Sequence, residues 1–69
     1  MNEDRLRSNI LAEMLKFQTI ALRSLAGGSP FGFARSVDQW YILNELLGRE
    51  KEDPFRHVYE FVREYLNGT

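Results

Sequence analysis

The chain has 69 residues, 43% hydrophobic and 28% charged, with nine Lys or Arg against ten Asp or Glu and no cysteine. That is one domain at most, too apolar and too evenly charged for intrinsic disorder. The missing cysteines exclude disulfides and thiolate metal sites, and a net charge of −1 gives no overall pull toward nucleic acid or an anionic membrane. A core this small rarely supplies more than about 3–5 kcal/mol, and chains of this length often add disulfides, a metal or self-association. Self-association is the device the composition leaves open.

The start, MNEDRLR, carries acids where a secretory or transit peptide would be basic, and no run approaches the ~18 apolar residues of a membrane span. The expectation is a soluble cytoplasmic protein. Asn2 caps a first helix, with Glu3 and Asp4 in the turn where the macrodipole favours negative charge. The helix is predicted over 3–26. At about 100° per residue its apolar residues cover roughly 240° of the circumference, far more than the stripe just over 100° wide of an ordinary surface helix. Leu6, Ile10, Met14, Phe17, Ile20, Ala21 and Leu25 make one face. Leu11, Leu15, Leu22 and Ala26 make a second strip beside it, with Gln18 near the seam. The first face is assigned to the protein's own core, the second to another subunit or a partner protein.

Gly27 and Gly28 offer the left-handed conformation that ends a helix, and Ser29-Pro30 reinforces the stop. The connection GGSPFGF is apolar for a loop: Phe31 and Phe33 either fold under it as plugs or stay outside as contacts for a partner. It is no phosphate loop, because Phe33 and Ala34 follow Gly32 where Lys and Ser or Thr belong. A second helix is predicted over 36–48, opened by a Ser36/Gln39 capping box and closed at Gly48. Val37, Trp40, Leu43 and Leu47 form its main stripe, flanked by Ile42, Leu46 and Tyr41. A charged connector, residues 49–53, leads to a third helix over 54–67, with Asp53 as cap and Pro54 first inside. Its apolar face is Phe55, Val58, Tyr59, Val62, Tyr65 and Leu66, with Phe61 at the edge.

The fold class is therefore all-α: a single three-helix domain over 1–69. The long first helix presents Leu6, Ile10, Met14, Phe17 and Ala21 to the two shorter ones in an orthogonal or bundle-like arrangement.

Catalytic chemistry finds little to work with. His57 is the only histidine and falls on the polar side of the third helix, so neither a metal site nor a base for Ser8, Ser24, Ser29 or Ser36 is assembled. Glu50, Glu52 and Asp53 cluster on the charged connector rather than in an apolar pocket, and Glu13 only borders the first helix's apolar arc. No cofactor and no small-molecule substrate is expected. DNA binding is the alternative function. It would use the Arg5, Lys16 and Arg23 band of the first helix, because Glu60 and Glu64 cancel Arg56 and Arg63 on the third. The gap from Gly48 to Asp53 is also longer than the ~3–4-residue turn of a helix-turn-helix motif. Seating on a membrane surface is a weaker third reading, since the later helices need the first as a partner. The expectation is a small non-enzymatic interaction module, a homodimer or a regulatory adaptor on a larger protein. Its contact residues are Leu11, Leu15, Leu22, Ala26, Phe31 and Phe33.

Overall fold

A computed structural model describes residues 2–68. Among them the chain forms α1 (Asn2–Ala26), α2 (Pro30–Leu46) and α3 (Arg56–Asn67), and no strand. At about 1.5 Å per residue α1 alone is roughly 37 Å long, and the molecule measures 47 × 21 × 15 Å.

The end of α1 follows from its glycines. Gly28 takes φ +74°, Ser29 N–H donates to the Ser24 carbonyl at 2.8 Å and Gly28 N–H to Leu25 at 3.2 Å. This reciprocal pair is the Schellman closure that a glycine just past a helix permits. Gly48 (φ +71°) closes α2 in the same way, with Arg49 N–H on the Asn44 carbonyl at 2.7 Å and Gly48 N–H on Glu45 at 2.9 Å.

The structure corrects the start of the second helix. GGSPFGF is not a loop: α2 begins at Pro30, six residues before Ser36. Ser29 is its cap, its Oγ accepting from Gly32 N–H at 3.3 Å, and Pro30 occupies the first turn, where its fixed φ suits a helix and its missing N–H costs nothing. Ser36 lies buried inside the helix, so the Ser36/Gln39 capping box does not form. Gly32 is needed for room. A Cβ there would meet Ser29 Oγ at 2.9 Å and Ser24 Oγ at 3.0 Å.

With only residues 27–29 between them, α1 and α2 form a helical hairpin. Pro30 lies near Leu25, Ser36 near Phe17 and Ile20, and Trp40 near Met14, so the two run antiparallel. The expectation that both later helices seat on α1 holds for α2. The backbone of α3 packs against α2 instead, and no Cα of α1 comes within 8 Å of one of α3. Being central, α2 supplies Phe33, Ala34, Val37 and Trp40 to the core, joined by Met14 and Ala21 of α1, Phe55 and Val62. Ile10 and Phe17 pack at its edge, but Leu6 does not reach it and stays 60% exposed on the N-terminal overhang of α1.

The third helix starts at Arg56, two residues later than predicted, because Phe55 serves the core. Its ring stands edge-on between Phe33 (6.0 Å) and Trp40 (5.6 Å), a favoured arrangement for aromatic pairs. Asp53 still shapes this entry: its Oδ1 accepts from Phe55 N–H and its Oδ2 from the Tyr41 hydroxyl, both at 2.8 Å. The connector is also pinned by Asn44, whose buried amide donates to the Lys51 carbonyl and accepts from Lys51 N–H, both at 3.0 Å.

Two substitutions test this account. Phe55→Ala should cost about 3–5 kcal/mol, as large-to-small aromatic core changes do, leaving little or no cooperative transition in a urea melt. Asn44→Ala strands both Lys51 backbone groups and should cost roughly 1–3 kcal/mol, read as a lower urea midpoint with helix content retained.

Candidate interaction surface

Because α2 covers the Met14 and Ala21 side of α1 and α3 seats on α2, the second apolar strip of α1 remains largely bare. Leu15 is 63% exposed and Leu22 56%, and Ala26 is exposed beside them. Leu11 is half-buried, on the wall of an open cleft where Leu15, Gln18 and Trp40 face Lys51, Glu52 and Pro54 of the connector. Fully burying a leucine stabilises by about 1.5–3 kcal/mol, so most of that gain is still unrealised at Leu15 and Leu22. The four strip residues therefore lie on one helix face, as predicted.

Phe31 and Phe33 part company. Both ride on the first turns of α2, but Phe33 is 1% exposed within the core, while Phe31 is 66% exposed. Phe33 is thereby removed from the candidate contact residues and Phe31 stays among them. The difference is angular: two residues along a helix turn about 200°, so Phe33 points into the core while Phe31 lies outside it, in an open cleft beside Asp38 and Arg63.

A second apolar area, unassigned by sequence, lies where the end of α1 meets the outer flank of α3. Leu25, Pro30, Phe61, Val62 and Tyr65 line an open cleft there, and Phe61 is 71% exposed. The signal was present in the spacing of Val58, Phe61 and Tyr65, an apolar run beside the Phe55 and Val62 stripe. One neighbouring helix cannot cover both. Ile42 and Leu46 are likewise exposed on the back of α2.

The total surface is large for the mass, as the elongated shape requires. The chain exposes 5284 Å², whereas a compact monomer of 8.1 kDa would show about 4,500 Å². Its radius of gyration is 13.0 Å against about 11 Å for a compact domain of this length. Roughly 800 Å² is thus exposed beyond what size requires.

Several polar groups tie the helices together. Tyr59 O–H donates to Asp38, Arg63 donates to the same carboxylate and, at 3.0 Å, to the Tyr59 oxygen. Arg7 on the overhang of α1 pairs with Glu50. Of the cationic band, Arg5, Lys16 and Arg23 are all exposed, with Lys16 Nζ 3.7 Å from Glu13. His57 is exposed, and among the described residues no three His, Cys, Asp or Glu side chains gather as metal ligands would. Among the described residues no helix is long and apolar enough to cross a membrane. No known protein family, curated protein or solved structure matches the chain.

Burial, then the hydrogen bond to Asp53, pushes the Tyr41 phenol above its ordinary value near 10. Burial and the bond to Asp38 raise Tyr59 likewise. Phenols raised in the folded state stay protonated where the unfolded chain has released its protons, so their stabilising contribution is intact below about pH 10 and lost above it. The melting temperature should fall as pH rises past about 10, and Tyr41→Phe with Tyr59→Phe should flatten that fall. An alkaline limb unchanged in the double variant would contradict the assignment.

Proposed function

We propose that this chain is a small non-enzymatic interaction module whose working surface is the uncovered strip of α1: Leu11, Leu15, Leu22 and Ala26, with Phe31 at the hairpin as an outlying contact. Its partner is another folded chain, either a second copy or a larger protein that it serves as a regulatory adaptor. The supporting observation is the exposure of Leu15 and Leu22 in mid-helix, on a molecule with about 800 Å² of surplus surface. Apolar patches of this kind mark association sites on small proteins, and anchors near a patch centre dominate binding.

DNA contact is the second reading, supported by the exposure of Arg5, Lys16 and Arg23 along one side of α1. It ranks lower because Lys16 shares its charge with Glu13 and α3 alternates arginine with glutamate. Binding of a DNA duplex that weakens steeply with salt and is lost in Lys16→Ala/Arg23→Ala would reverse that order.

The interaction reading is tested with Leu15→Glu and Leu22→Glu, by molar mass from light scattering and helix content from circular dichroism on the same samples. The expected outcome is a folded, helical chain that no longer associates. If wild type is monomeric at the working concentration and either change unfolds it, the strip is core and the reading fails.

A further inference from the structure

Of the four asparagines, Asn67 alone is followed by glycine; Asn2, Asn9 and Asn44 precede Glu3, Ile10 and Glu45. That pairing carries chemistry of its own. Asparagine is a thermolabile residue, and a glycine nitrogen has no neighbouring Cβ to hinder its attack. Asn67 is the last residue of α3, and both it and Gly68 are exposed. In the helix the two reacting atoms are held apart. Closing a ring between the Asn67 Cγ and the Gly68 nitrogen brings that nitrogen into line with Cβ, a turn of roughly 80° from the helical ψ. Among the described residues such a turn breaks one contact, the bond from Gly68 N–H to the Glu64 carbonyl at 2.9 Å. The groups that moor α3, Val62 and the pair of Arg63 with Asp38, lie earlier in the chain and stay in place.

Independently of the interaction reading, we infer that Asn67 is a site of spontaneous deamidation, gated by the last turn of α3 and not by unfolding of the domain. The Gly68 nitrogen attacks the Asn67 Cγ, a C–N bond forms and the Cγ–Nδ2 bond breaks. The proton from the Gly68 nitrogen leaves with the departing amide nitrogen as ammonia. Water then opens the cyclic imide at one carbonyl or the other. The products are an aspartate and an isoaspartate, whose backbone runs through Cβ. Either one places a carboxylate at the C-terminal end of α3, the negative pole of the helix dipole, three residues from Glu64. Like charges at neighbouring positions of a helix face repel, and the isoaspartate adds a backbone atom that a helical turn does not accommodate. The reaction therefore loosens the last turn, and refolding does not reverse it.

The test is peptide mapping by mass spectrometry after incubating the full chain in warm, mildly alkaline buffer, both native and in urea. The expected modification is confined to the Asn67 peptide, as aspartate and isoaspartate together. Loss of one exposed hydrogen bond should hold the native rate within about tenfold of the rate in urea. Asn67→Gln should abolish the change. Gly68→Ala should slow it severalfold in both conditions without disturbing the fold, since φ at this exposed position is −81°. A native rate on the order of 100-fold or more below that in urea would mean that the domain has to unfold first, and would overturn the inference. So would an unchanged rate in Gly68→Ala, Asn2 or Asn9 reacting as fast as Asn67, or no modification of Asn67 in either condition. None of these results touches the reading of Leu15 and Leu22, which is tested separately.

Discussion

The arrangement depends on one contact: the Phe55 ring set edge-on between Phe33 and Trp40 of α2. Those two residues are seven apart on α2 and therefore share a face, and Phe55 is the first residue after the connector that can fill the space between them. Once it is seated, α3 has to leave along α2, because the ring sits at its N-terminal cap. The tie from Asp53 to Tyr41 and the ties from Asn44 to Lys51 hold the connector in the conformation that delivers the ring. The bareness of Leu15 and Leu22 goes with this seating, since the backbone of α3 runs along α2 and not along α1.

Local stereochemistry explains which parts of this fold were legible beforehand. The stops at Gly28 and Gly48 are decided within five residues, by a carbonyl pattern that only a left-handed residue completes, and both were readable. Ser29-Pro30 was readable only in part. The pair ends one helix and starts the next, and reading it as a terminator alone moved the start of α2 to Ser36. That shift left Phe31 and Phe33 in a supposed loop, where their opposite orientations could not be assigned. Helical phase from Pro30 separates them at once.

Other features had no short-range signal. Asn44 looks like a polar residue on an apolar helix, and its role depends on Lys51 returning to it from beyond the helix end. The choice of α2 over α1 as the seat of α3 is likewise a matter of competing surfaces, since α1 also offered a broad apolar arc. Along the candidate surface the pattern was more informative. The strip Leu11, Leu15, Leu22 and Ala26 is phased by the helix alone, and whether it is covered is a tertiary question that width could only raise. The cleft at Leu25, Phe61 and Tyr65 was overlooked because one stripe per helix is the usual economy, and α3 carries more than one.

The separation between α1 and α3 also divides the molecule into unequal parts. The hairpin of α1 and α2 is stitched along much of its length by residues close in sequence, whereas α3 is moored by a single aromatic wedge, Val62 and the Asp38 cluster. Fewer core contacts therefore hold the last helix than hold the hairpin together. That helix is what closes Phe33 and Trp40 from solvent, through the Phe55 ring that precedes it. The three-point mooring of so short a terminal helix is thus also what keeps those two aromatic rings covered.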